Sequence, residues 1–113
     1  MENWQLAVEA AQSRKAEDIV VLHIGEVSSF ADYFVVCNGT NPRQTQGISN
    51  AIEAKLREQG WRPMGVEGRQ SGEWILMDYG DLVIHIFTPE RRKFFDLERL
   101  WRNAPRVPVP EAA

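Results

Sequence analysis

The stretch Gly72-Glu-Trp-Ile-Leu-Met-Asp-Tyr-Gly-Asp-Leu-Val-Ile-His-Ile-Phe-Thr88 decides how the chain folds. Two apolar runs flank Gly80-Asp81, and a glycine opening a two-residue loop between such runs is the signature of a type II′ β-hairpin. That turn sets the register. Tyr79 then faces Leu82, Met77 faces Ile84, and Ile75 faces Ile86. On the other side Asp78 meets Val83, Leu76 meets His85, and Trp74 meets Phe87. Side chains alternate between the faces of a strand, so these are two separate surfaces. The first is almost wholly apolar and reads as core. The second combines Trp74 and Phe87 with a carboxylate and an imidazole.

The rest of the chain supplies a single domain around this hairpin. Its 113 residues show no internal repeat and are enough to bury a core without disulfides or metal. Apolar content of 43% and charged content of 26% are ordinary for a globular protein, and a net charge of −3 argues against a general nucleic-acid binder. Cys37 stands alone, so no internal disulfide forms, and no leader or membrane-spanning run is evident. A reducing, cytoplasmic location is the expectation.

In order along the chain, Trp4, Ala7, Val8 and Ala11 make one apolar stripe of a helix over residues 3–15, with Asn3 as its N-cap. Ile19 to Ile24 and Tyr33 to Cys37 read as buried strands, joined by the polar segment Gly25 to Asp32. Asn41, Pro42 and Gln44 announce a second helix by cap, first-turn proline and capping-box spacing. Its stripe is Ile48, Ala51, Ile52 and Leu56, and Gly60 ends it near Gln59. Trp61 to Val66 is a third strand ahead of the hairpin. Pro89 opens a short basic helical turn, and Asp96 caps a last helix through Leu97, Leu100 and Trp101. Residues 105–113, with Pro105, Pro108 and Pro110, read as an extended, flexible tail beyond a domain of residues 1–104. The expected fold is α/β (α+β), a mixed sheet of about five strands with helices packed on it.

Few patterns suggest catalysis. His23 and His85 sit in separate strands with no zinc-ligand spacing, and Cys37 lies mid-strand as a structural thiol. Asn38-Gly-Thr-Asn-Pro-Arg43 is the most active-site-like turn, since a helix N-terminus beside an arginine suits a phosphate. Capping accounts for the same residue types, and that reading is preferred. Asp78 and Asp81 flank the hairpin turn but should point to different faces, which argues against a metal pair. No metal or cofactor is expected. The mixed hairpin face leaves two readings open: a helix covers it, or it is a docking surface with aromatic anchors and polar groups that set register. Glu90-Arg91-Arg92-Lys93 is either a solvated helix start or a contact to RNA phosphates.

Several segments in this order and spacing resemble one family: Ala31-Asp-Tyr-Phe-Val-Val, Gly39-Thr-Asn-Pro-Arg-Gln, Glu67-Gly68, Trp74 to Phe87, and Phe95-Asp-Leu-Glu-Arg-Leu-Trp101. Over residues 3–104 the chain is similar to the ribosomal silencing factors, also called RsfS or iojap proteins. It departs at His23, where an acid is frequent, and at Phe95, where a tyrosine is common. The resemblance implies a nucleotidyltransferase-like topology without the catalytic motif: the chain holds no Asp-x-Asp pair to carry the cations of nucleotidyl transfer. It implies a non-enzymatic factor that binds the fourteenth protein of the large ribosomal subunit and sterically blocks joining of the small subunit. Organelle relatives are linked to large-subunit assembly, and the free proteins are often homodimers. On this reading Trp74, Leu76 and Phe87 give apolar contact, Asp78 and His85 orient docking, Tyr79 reaches the rim, and Arg92 touches ribosomal RNA. The alternatives are an enzyme using the Gly39–Arg43 turn and an assembly factor.

Overall fold

In the computed structural model, which describes residues 1–111, the hairpin takes the expected form. Strands β4 (Trp74–Asp78) and β5 (Leu82–Phe87) pair antiparallel with Trp74 opposite Phe87, Leu76 opposite His85 and Asp78 opposite Val83. The Tyr79 amide donates to the Leu82 carbonyl at 2.8 Å, closing the two-residue loop. Gly80 has φ +85°, the left-handed value that a II′ turn requires at this position. The Asp78 carboxylate accepts from the Gly80 amide at 2.8 Å and braces the turn.

β5 lies inside a six-stranded sheet. It runs parallel to β2 (Tyr33–Asn38), which pairs antiparallel with β1 (Glu17–His23). On the other side β4 pairs antiparallel with β3 (Gly65–Glu67). The sixth strand, β6 (Arg106–Val107), lies antiparallel on β1, and the order is β3-β4-β5-β2-β1-β6. Both β2 and β5 are flanked by strands and covered on both faces, which is why they read as near-continuous apolar runs.

Helices α1 (Asn3–Ser13) and α2 (Pro42–Glu58) share the apolar face. Ile75, Met77, Ile84 and Ile86 join Val21, Val35 and Cys37 under Ala7, Ala11, Ile48, Ile52 and Leu56, all fully buried. Asn41 caps α2 as expected, accepting from the Gln44 amide at 3.0 Å. Gln44 itself turns to the Thr40 amide and hydroxyl, each at 2.7 Å, instead of closing a box on Asn41. The N-cap of α1 is Glu2 and not Asn3. Its amide donates to the Gln5 side chain at 2.7 Å, so the box begins one residue earlier.

Three further expectations are corrected. The third strand occupies Gly65–Glu67 alone; Trp61 to Met64 is irregular. Asp96 makes no side-chain cap. It stands at φ +50° as the elbow between α3 (Pro89–Phe95) and α4 (Leu97–Leu100). The proline-rich segment, expected as a flexible tail to Ala113, is extended but attached, and its last two residues lie outside the described ones. The His23 amide donates to the Pro105 carbonyl at 2.8 Å, β6 follows, and the Gln12 side chain donates to the Pro110 carbonyl at 2.5 Å. Val107 and Val109 pack against the main core. Pairing with the β1 edge satisfies backbone groups that water would otherwise have to satisfy.

Candidate functional site

The second face of the sheet is laid out in rows across the strands. Asp78, Val83 and Phe34 form the row nearest the hairpin turn; Leu76, His85 and Val36 form the middle; Trp74, Phe87 and Asn38 form the far row. α3 and α4 close over the far side of it. Phe95 sits 4.4 Å from the Trp74 ring and 6.2 Å from Phe87, while Trp101 stands edge-on to Phe34 at 5.7 Å. Leu22, Ile24, Phe34, Val36, Val83 and Phe87 thereby become a second core. Neither sequence reading of this face was complete: short C-terminal helices cover part of it, and the β4 strip stays partly open.

The predicted contact residues divide accordingly. Trp74, Leu76 and Asp78, all on β4, are half-buried and reach the surface. Phe87 is fully buried beneath Trp74 and Phe95, so it supports the face without touching a partner. His85 is 4% exposed. Its Nδ1 accepts from the Trp74 indole N–H at 3.2 Å, which leaves the imidazole proton on Nε2. Burial lowers the His85 pKa to about 4, so the ring is neutral at physiological pH. It orients Trp74 from below and carries no charge to a partner.

Tyr79 corrects a further expectation. It is buried on the α-helical face, where alternation from Asp78 puts it, and its hydroxyl pKa is pushed up to about 12 by burial. It does not reach the rim. Arg92 is also turned inward. Its guanidinium donates to the Asn38 side chain at 2.7 Å and the Asp18 carbonyl at 2.6 Å, and it pairs with Glu98 at 3.1 Å. It clamps α3 and α4 onto the ends of β1 and β2 rather than offering itself to RNA.

Phe30 escaped the sequence reading. It is 70% exposed at the turn end of this face, edge-on to Phe34 at 6.3 Å. The available signal was a large aromatic residue inside the mainly polar Gly25–Asp32 connection. Asp32 and Tyr33 anchor that connection, both donating backbone N–H groups to the Asp81 carbonyl at 2.8 and 3.0 Å. Leu76, Asp78 and Phe30 therefore border one surface, in which apolar side chains stand beside the Asp78 carboxylate on paired strands.

At the rival sites the capping side chains bond to one another and the thiol is buried, while Arg43 stays exposed. At the Gly39–Arg43 turn, Thr40, Asn41 and Gln44 bond to one another, and the Thr45 hydroxyl lies 2.6 Å from the Gly72 carbonyl. Cys37 is fully buried and its thiol pKa is pushed up to about 12, which leaves no thiolate to react. No helix among the described residues is long and apolar enough to cross a membrane.

Known proteins of similar sequence and structure identify the family. The model of the family described as "Ribosomal silencing factor during starvation" matches residues 1–113. A ribosomal silencing factor of Halalkalibacterium halodurans is 39% identical over 103 residues, covering 91% of this chain and 88% of that protein. A crystal structure of a Chromobacterium violaceum protein superposes with a TM-score of 0.87 at 35% identity, over 100% of this chain and 93% of the other. More distantly, a mouse protein named for mitochondrial assembly of the ribosomal large subunit is 28% identical over 99 residues, and the match spans 43% of its length. With sequence, length and fold in agreement, the chain belongs to the ribosomal silencing factor family.

Proposed function

We propose that this protein is a non-enzymatic, cytoplasmic factor that binds the large ribosomal subunit through its fourteenth protein and blocks joining of the small subunit by occupying space. The observation that carries the reading is the half-open β4 strip. Its partner face is sealed by α1 and α2, whereas Trp74, Leu76 and Asp78 remain accessible on a rigid sheet. An apolar strip bearing the Asp78 carboxylate suits a basic ribosomal protein, because apolar anchors supply contact energy and charge sets orientation. Exclusion needs only tight binding at the right place, and no catalytic group is required. The free protein is proposed to be a homodimer.

Neighbouring residues on opposite faces provide the test. Leu76→Ala removes surface contact and weakens large-subunit binding by more than about 1 kcal/mol while leaving the fold intact. Ile75→Ala, one residue away in the core, costs about 2–5 kcal/mol of folding stability instead. Trp74→Ala also weakens binding, but it strips packing from His85, Phe87 and Phe95 as well. In a sucrose gradient, excess wild-type protein keeps purified subunits apart without nucleotide, and Leu76→Ala needs a higher concentration to do so. Normal joining of subunits at excess wild-type protein refutes the proposal. The name of the mouse relative favours a second reading, large-subunit assembly; there the protein would sediment with immature particles and leave mature subunits free to join.

A further inference from the structure

The elbow between α3 and α4 forms an open depression of about 650 Å³ whose lining includes Lys93, Phe94, Arg99, Leu100 and Arg102. Two features characterise it. First, Phe94 and Leu100 are 74% and 71% exposed, among the most exposed large apolar side chains of the protein. Second, Lys93, Arg99 and Arg102 are in no ion pair among the described residues, while Arg57 and Arg69 share Glu53 and Arg92 holds Glu98. One carboxylate, Asp96, also lines the depression, so three cations face one anion in a protein whose net charge is −3. The shape is fixed: Asp96 at φ +50° sets the elbow, and the Arg92–Glu98 pair bridges α3 and α4. The exposed Phe94 ring stands perpendicular to Phe95 at 5.1 Å.

We infer that this elbow is a contact for single-stranded RNA, with Arg99, Arg102 and Lys93 meeting phosphates and Phe94 offering a platform to an unpaired base. Unpaired cations around an exposed aromatic side chain are the components of sequence-tolerant single-strand binding. Arginine suits phosphate because its planar fork gives paired hydrogen bonds. The choice of RNA over an acidic peptide rests on the proposed ribosomal role, since a ribosomal protein's surroundings are dense in RNA phosphate. The role expected of Arg92 passes to its neighbours, because the Arg92 guanidinium is already engaged.

The test is fluorescence anisotropy of a labelled oligouridine with the full chain across a salt series. Wild type binds with an affinity that falls as salt rises. Phe94→Ala weakens binding about tenfold, the loss of one stacked base. Arg99→Glu with Arg102→Glu weakens it further and lowers the slope of log affinity against log salt by about 1.4, for two lost phosphate contacts on a single strand. In parallel, pull-down with the purified fourteenth protein is unchanged by these variants, whose altered side chains lie outside the β4 strip. No RNA binding by wild type at low salt, or equal binding by the variants, overturns the inference. So does loss of the ribosomal protein with RNA binding intact, which makes the elbow a protein contact. If wild type fails to bind the ribosomal protein yet binds RNA through these residues, the docking proposal falls and the RNA contact stands.

Discussion

His85 shows how much one side chain depends on its neighbours. It is a titratable group placed between Trp74, Phe34 and Phe87, with one ring nitrogen paired and Nε2 without a hydrogen-bond partner among the described residues. Its folded pKa lies near 4, against 6.5 for the free side chain. Above pH 6.5 neither state takes the proton and His85 costs nothing. As the pH falls below 6.5 the unfolded chain binds a proton that the folded chain refuses until about 4. Acidification from pH 7 to pH 4 is therefore predicted to remove on the order of 3 kcal/mol of stability through this residue. Urea unfolding of wild type and His85→Gln at both pH values checks it: the acid-dependent loss is smaller by that amount in the variant. An identical loss in both proteins shows that other groups are responsible. Arg92 teaches the converse lesson. A basic run in sequence does not reveal which of its members faces inward, and here the middle one is the clamp.

At the scale of elements, the hairpin obeyed local rules because its turn and alternation are local. Gly80 and the two apolar runs determine its register without help from distant residues. The approach to β4 is different. Gly68 sits at φ +81°, and a Cβ there would lie 2.0 Å from the Trp74 carbonyl oxygen. Only the three-dimensional path of the chain creates that contact. Gly68→Ala must displace β4 at the residue that begins the docking strip, so it is predicted to destabilise the protein by more than about 1 kcal/mol. A thermal melt reads the change, and an unshifted melting temperature refutes it. α3 and α4 are short and weakly periodic, with no fully buried residue, and nothing local in them reveals that they roof the second face. What places them is Phe95 against Trp74 and the Arg92 contacts with Asp18 and Asn38.

For the whole molecule, the proline-rich segment protects an edge. β1 presents Ile19, Val20, Val21 and Leu22, an apolar strand that would template further pairing if left bare. β6 pairs with Val21 and Leu22 of this edge, and Pro105 and Pro108 bracket β6 with residues that lack an N–H, which keeps the new edge from growing. Truncation after Ala104 is predicted to lower the melting temperature by several degrees and to promote self-association through β1. Light scattering of the truncated chain checks this; a stable protein with unchanged association behaviour rules it out.

Sequence by itself determined the hairpin, its register, the α2 cap and the identity of the apolar face, because each follows from spacing, turn chemistry or alternation over a few residues. It also carried the family resemblance, which needs only residues in order. Tertiary structure alone decided which residues of the mixed face remain open. Trp74, Leu76 and Asp78 reach the surface, while His85 and Phe87 are sealed beneath residues 8 to 13 positions away, Trp74 against both and Phe95 against Phe87. Tyr79 was assigned to the rim by its nearness to the turn, yet the pleat directs it into the helical core. Exposure depends on what packs above a side chain. Periodicity names the face, but only the folded chain supplies the cover.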